Sequence, residues 1–225
     1  MRELPGRGKA VQSRAMSVIR KVVIFDLGGV VVEWNPQAVV AGFCADAALA
    51  AALFANVFAH PDWAELDRGG LDDVAAIGRM QARLPRPAGE YERLLRAADD
   101  SLRPRPETVA LIERLAAQGV PLFVLSNMPL ERFRMLRARH DFWTRFRDFV
   151  ISGEIGLLKP QPAIFEYALA RFGCEPQGSV FIDDHEANVA AAQALGMAAL
   201  LFRGATSCAA QLEALGLLPH GSNPA

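Results

Sequence analysis

The sequence predicts an α/β protein: a parallel sheet covered by helices on both faces, with an all-helical insertion after the first strand. Three observations carry this expectation. Short β-branched and apolar runs recur without alternation, as in strands buried on both faces. From residue 106 onward they alternate with segments of helical period. Residues 35 to 103 show the helical period alone.

The first run, Val22-Val23-Ile24-Phe25, stops at Asp26-Leu27-Gly28-Gly29. After it, helices are predicted over Asp46 to Ala59, Leu71 to Leu84 and Ala88 to Leu102, separated by His60-Pro61, Gly69-Gly70 and Pro85-Arg86-Pro87. The next helix, Glu107 to Gln118, carries Val109, Ile112 and Leu115 on one stripe and leads to the strand Leu122 to Leu125, which ends at Ser126-Asn127. Phe149 to Ile151 runs into Ser152-Gly153. The helix Pro162 to Phe172 precedes Val180 to Ile182, which ends at Asp183-Asp184. A last helix, Ala187 to Leu195, and a fifth strand, Ala198 to Phe202, complete the pattern. Gly119, Gly173 and Gly196 follow the three helices of this half, where a left-handed cap is wanted. The expected organisation is a tail over residues 1–20, a core over 21–34 and 104–210, the helical insertion over 35–103, and a second tail over 211–225.

With 24 Lys+Arg against 25 Asp+Glu, a net charge of −1 and 52% hydrophobic residues, the 225-residue chain can bury a sizeable core. Near-neutral charge leaves no basic field for nucleic acid and no polybasic membrane patch, so a small-molecule partner is expected. The most apolar stretch, Ala47 to Ala55, is far short of the roughly 20 residues that span a bilayer. Residues 1 to 20 carry Arg2, Arg7, Lys9, Arg14 and Arg20 but no apolar core of a signal peptide, and Met16 offers a second start. Cys44, Cys174 and Cys208 form no CxxC pair and read as inert, in keeping with a reducing cytoplasm.

In open parallel sheets, ligands bind beyond the carboxyl ends of the strands. Here those ends offer Asp26, Ser126-Asn127, the loop from Ser152-Gly153 to Lys159, and Asp183-Asp184. Carboxylates gathered in one cleft repel unless a cation neutralises them, and an all-oxygen donor set selects a hard ion such as Mg²⁺. The same ion offsets a phosphoryl group, with Lys159 as a second cation and the Ser126 hydroxyl as a donor. An aspartate so placed can attack phosphorus and form an aspartyl-phosphate.

The order Asp…Ser-Asn…Lys-Pro…Asp-Asp resembles the haloacid dehalogenase-like hydrolase superfamily, in particular its helical-cap phosphatases. The matching segments are Val23 to Val30, Leu125-Ser126-Asn127, Gly156-Leu157-Leu158-Lys159-Pro160 with Ile164-Phe165, and Phe181-Ile182-Asp183-Asp184 with Asn188 and Leu195-Gly196-Met197. The resemblance implies a Rossmann-like core with a helical cap, and a cytoplasmic, Mg²⁺-dependent phosphohydrolase for a small phosphorylated metabolite, with sugar phosphates among the candidates. It also assigns roles. Asp26 is implied as nucleophile and metal ligand, with the Gly28 carbonyl and Asp184 as further ligands and Asp183 acting through water. Ser126 and Asn127 are implied to hold the phosphate, and Lys159 to pair with Asp26 and the transferring group.

One position departs from the family. Most of its phosphatases carry a second aspartate two residues after the nucleophile as general acid and base; here that residue is Gly28. The expected consequence is a steep dependence of rate on leaving-group basicity, since such a proton donor is worth roughly 10²–10⁴-fold. Gly28 also keeps open a metal-free 2-haloacid dehalogenase, although an acidic pair has no use in a halocarboxylate site. A non-catalytic phosphate- or metal-binding relative is the third reading. His185 is expected as a solvated loop residue, and Asp62, Trp63 and Arg68, at a helix break, as candidates for the inner face of the insertion.

Overall fold

Residues 21–221 are described in the computed structural model, so the expected tail over residues 1–20 lies outside them. The chain opens with β1 (Val22–Phe25), all four side chains buried. In the turn that follows, the Val30, Val31 and Val32 amides all donate to the Leu27 carbonyl, and Gly29 adopts φ 75°. Five helices come next: α1 (Pro36–Phe43), α2 (Ala47–Asn56), α3 (Pro61–Arg68), α4 (Asp73–Arg83) and α5 (Ala88–Ser101). Side chains of Asn35, Asp46, His60 and Asp72 accept from first-turn amides of the first four. The remainder alternates: α6 (Pro106–Ala117), β2 (Leu122–Ser126), α7 (Leu130–Arg137), β3 (Asp148–Ile151), α8 (Ser152–Ile155), α9 (Pro162–Phe172), β4 (Ser179–Asp183), α10 (Glu186–Ala194), β5 (Ala198–Leu201) and α11 (Ala205–Ala214).

The strands form one parallel sheet in the order β3-β2-β1-β4-β5. From β1 the chain builds outward through β2 and β3, then returns to lay β4 on the other side of β1. That reversal leaves a crevice beyond the carboxyl ends of β1 and β4.

Alternate strand residues feed two separate cores. Val23, Phe25, Val124 and Ile182 meet Leu111, Ile112 and Leu212 on one face, while Val22, Ile24, Phe123 and Phe181 meet Ile164, Phe165 and Ala192 on the other. Helices α1–α5 enclose a third apolar cluster drawn from residues 39–98 alone, with Leu53, Met80, Tyr91 and Leu94 fully buried. The Tyr91 hydroxyl is satisfied there, accepting from Asn56 Nδ2 (2.8 Å) and donating to the Leu84 carbonyl (2.7 Å). Trp34 touches both this cluster and the first sheet core.

α9 has the expected bounds, and α6 and α10 each begin one residue earlier than expected. Of the tail expected over 211–225, the described part, 211–221, requires correction; residues 222–225 lie outside the described residues. α11 carries past residue 210 to Ala214, because Cys208, Ala209 and Leu212 share one apolar face, and Leu217 and Leu218 are buried in the sheet core behind it. Helices α1, α3, α7, α8 and α11 were not predicted. Asn35-Pro36 and His60-Pro61 read as separators, but each is an N-cap followed by proline at the first helical position. For α7 the cause is polarity: Leu130–Arg137 holds three arginines, and no apolar stripe stands out.

Candidate active site

Strand pairing assembles the centre. Asp26 stands one residue past β1, and its amide donates to the Ile182 carbonyl of β4 (2.9 Å), which sets it beside Asp183, the last residue of β4. Lys159 enters from the loop between α8 and α9 and lies 2.7 Å from both Asp26 Oδ1 and Asp183 Oδ2. The Asn127 side chain fixes that loop, its Oδ1 accepting from the Lys159 amide (2.9 Å) and its Nδ2 donating to the Lys159 carbonyl (3.0 Å).

Adjacent aspartates are treated differently. Asp183, fully buried, accepts from Lys159, from Asn188 Nδ2 (3.0 Å to each oxygen) and from the His185 amide (2.8 Å). Asp184 Oδ1 is buried with no hydrogen-bond partner. Glycine is required beside it: a Cβ on Gly29 would fall inside the Asp184 carboxylate, at a φ that side chains rarely adopt. Ligand oxygens of Asp26, Asp183 and Asp184 all lie within 4.8 Å of one another.

Burial dominates the electrostatics. It raises Asp26 above the usual carboxylate range, aided by the charges of Asp183 and Asp184 and opposed by Lys159. Burial also disfavours the Lys159 ammonium, but Asp26 and Asp183 outweigh it and raise its pKa. For Asp183 the cost of burial is overcome by Lys159 and the hydrogen bonds from His185 and Asn188, so its pKa is lowered. Asp184 is raised by burial and by Asp183. Three carboxylates thus face one ammonium, and one buried oxygen has no donor. An all-oxygen set with excess negative charge and an unpartnered inward acceptor fits a hard divalent cation.

Above the cluster lies a cavity of about 280 Å³. Trp34, Phe58 and Trp63 form an aromatic wall, with Trp34 and Trp63 stacked at 5.6 Å between centroids. Ser126 lines the floor, and its hydroxyl makes no hydrogen bond among the described residues. Arg132, on α7, sits 5.5 Å over the Trp63 ring and is held by Asp73 (2.9 Å) and Asp99 (2.8 Å). Asp67 completes the polar side.

The structure brings together Asp26, Lys159, Asp183 and Asp184, with Gly28, Ser126 and Asn127 on the cavity surface. Asn127 does a further job besides its expected one: its Oδ1 and one Nδ2 hydrogen engage both backbone groups of Lys159, which leaves the second Nδ2 hydrogen free at the cavity surface. Trp63 lines the cavity, whereas Asp62 faces Arg79 and Arg83, and Arg68 donates to the Gly156 carbonyl. His185 reaches the rim with its side chain 71% exposed. Sequence reasoning missed Trp34, Asp67, Asp99 and Arg132, which lie far apart in the chain and meet only through α3, α5 and α7. For Asp67 a signal existed: with Trp63 it shares one helical face, four residues apart.

A parallel sheet covered on both faces, with an aspartate–lysine cluster at its switch point, defines a doubly wound α/β protein with its site at the strands' carboxyl edge. The model of the haloacid dehalogenase-like hydrolases matches residues 20–196, and the chain belongs to that family of enzymes. Phosphatases are among its relatives. The sesquiterpene phosphatase astK of Aspergillus oryzae is 28% identical over 180 residues, 80% of this chain and 88% of that protein. The glyceraldehyde 3-phosphate phosphatase of Methanothermobacter thermautotrophicus is 36% identical over 104 residues, 44% of this chain and 45% of the relative. Among solved structures, a member of the family from Bacteroides thetaiotaomicron, in complex with magnesium and inorganic phosphate, shares the fold with a TM-score of 0.64 and 20% identity, covering 80% of this chain and 93% of that one. Among the described residues, no helix is long and apolar enough to cross a membrane.

Proposed function

We propose that this enzyme is a Mg²⁺-dependent phosphohydrolase that cleaves a small phosphorylated metabolite through an aspartyl-phosphate. One observation carries the reading: Asp26 and Lys159 line the floor of the cavity, and the unpartnered Asp184 oxygen belongs to an acidic cluster with Asp26 and Asp183 that one ammonium does not neutralise. In this reading Asp26, the Gly28 carbonyl and Asp184 hold the ion, with Asp183 acting through water. Mg²⁺, when bound, supplies positive charge against the carboxylates and the phosphoryl oxygens. The Lys159 ammonium and the Ser126 hydroxyl hold the phosphoryl group, and Lys159 keeps the Asp26 carboxylate ionised and aimed. Asn127 fixes the lysine loop and offers its remaining Nδ2 hydrogen to the phosphoryl group. Asp26 then attacks phosphorus, the bond to the leaving oxygen breaks, and water hydrolyses the resulting acyl phosphate.

Residues 35–103 act in this reading as a cap, contributing Phe58 and Trp63 to the aromatic wall that Trp34 completes. Trp34, Phe58 and Trp63 favour a leaving group with an apolar face, which sugar phosphates and terpenoid monophosphates both offer. Phosphate release is to be measured over sugar, acyl, aryl and terpenoid phosphates with and without Mg²⁺, beside a metal-free halide-release assay on 2-haloacids. Mg²⁺-dependent phosphate release that Asp26→Asn abolishes is expected; halide release without metal, or retained turnover in Asp26→Asn, overturns the reading.

A further inference from the structure

Gly28 leaves the leaving oxygen without a proton donor at the position two residues after Asp26. A Cβ on Gly28 would meet Trp34 Cβ at 3.5 Å and its ring at 3.6 Å. These are ordinary contacts, and the aromatic wall stands directly beside the position.

Across the same cavity stands Asp67, in the last turn of α3. Its carboxyl makes no hydrogen bond or ion pair among the described residues, although the other acids on the cavity are engaged. Asp99 is held by Arg132 at 2.8 Å, and Asp26 and Asp183 by Lys159. Two features fix its position. The Asp67 carbonyl accepts from Ser152 Oγ (2.5 Å), which also accepts from the Met128 amide (2.8 Å). Behind it, Gly69 and Gly153 approach so closely that a Cβ on Gly69 would lie 2.7 Å from the Gly153 carbonyl oxygen. Helix α3 is thereby seated against the end of β3 and the loop after Asn127. Its own neighbours, Glu65 and Arg68, pair with each other (3.4 Å).

We infer that Asp67 is the catalytic acid and base of this site, occupying from the helical insertion the role that Gly28 leaves empty. The inference rests on the phosphohydrolase reading above. As Asp26 attacks phosphorus and the bond to the leaving oxygen breaks, that oxygen takes the Asp67 proton and departs as an alcohol. Water then attacks the aspartyl-phosphate and gives one proton to the Asp67 carboxylate. Inorganic phosphate leaves, Asp26 is regenerated as a carboxylate and Asp67 as an acid. Desolvation supports the role: burial pushes Asp67 up to about 7, against the opposing charges of Arg132 and Lys159, so both protonation states are accessible near neutrality. His185, at the exposed rim beside Asp184, is the remaining titratable side chain on the cavity.

The test is a leaving-group series of similar size, 4-nitrophenyl, phenyl and phenethyl phosphate, run with Mg²⁺ on the unmodified protein and on Asp67→Asn and Asp67→Ala, with melting curves for each. With Asp67 as acid, the unmodified protein should show a shallow series. Both variants should lose about 100-fold or more on phenethyl phosphate and less than about tenfold on the 4-nitrophenyl ester. A steep series in the unmodified protein, or equal losses on all three esters, overturns the assignment, and the first of these requires no variant to fold. No phosphate release from any ester by the unmodified protein defeats the phosphohydrolase reading itself, a separate result.

Discussion

Asp183 and Asp184 are consecutive in the chain, yet their surroundings give them opposite energetic signs. Asp183 accepts four hydrogen bonds from Lys159, Asn188 and the His185 amide, so Asp183→Ala leaves a buried ammonium with one partner fewer and should lower stability by about 3–5 kcal/mol. Asp184→Ala deletes a buried oxygen that has no donor, so melting without metal should be unchanged or slightly higher. With millimolar Mg²⁺ the unmodified protein should melt higher, and Asp184→Ala should abolish that shift. Calorimetry with and without Mg²⁺ checks all three; a retained shift in Asp184→Ala would place the ion elsewhere. Asp67 sets a pH dependence of its own. Burial raises it from 3.8 to about 7, so the folded state binds its proton more tightly than the unfolded state. Its contribution is complete below about pH 4 and is lost as pH rises toward about 7. Melting of Asp67→Asn relative to the unmodified protein should therefore improve between about pH 5 and about pH 8, and a constant difference would contradict the raised pKa.

At the scale of single elements, α3 is the helix on which the cavity depends, and it owes little to its own sequence. It has eight residues, shorter than an isolated helix can sustain, and is held by contacts at both ends. At its start, His60 caps it, Pro61 takes the first helical position, and Asp62 is gripped by Arg83 (2.6 Å) and Arg79 (3.1 Å) of α4. Those arginines hold the Asp62 carboxyl below the usual range despite its burial. Asp62→Ala should cost about 1–3 kcal/mol, because the buried Arg83 contacts lose their acceptor, and should reduce turnover by loosening Trp63 and Asp67. Urea unfolding and the rate on phenethyl phosphate measure the two effects. Helix α9, by contrast, was legible to the residue. Ile164, Phe165, Ala168 and Leu169 mark its buried face, and Gly173 closes it at φ 64°.

For the whole molecule, the order β3-β2-β1-β4-β5 is what turns scattered residues into a site, since it sets β1 and β4 side by side with Asp26 and Asp183 at their ends. The sheet core does not close until the chain's final described segment. Leu212, Leu217 and Leu218 fill the face that β1 and α6 present, so Leu212→Ala should destabilise by about 2–5 kcal/mol. Truncation after Ala210 removes all three and should leave a protein that fails to unfold cooperatively on heating. A cooperative transition within a few degrees of the full-length protein would show that the segment is dispensable.

The five strands, the α/β class and the order of Asp26, Ser126, Lys159 and Asp183-Asp184 were determined by the sequence itself. The reason is local: strands buried on both faces need uninterrupted apolar runs, and a residue that ends such a run is delivered to the carboxyl edge of the sheet. Tertiary structure alone decided the rest. Which of two adjacent aspartates is saturated with donors depends on Lys159, twenty-four residues away, and on the close approach of Gly29. That Asn127 holds a lysine loop, and that Asp67 and Arg132 share a cavity with Asp26, depends on helices docking across long stretches of chain. Neither periodicity nor spacing encodes such meetings, because they follow from how separately formed apolar faces come together.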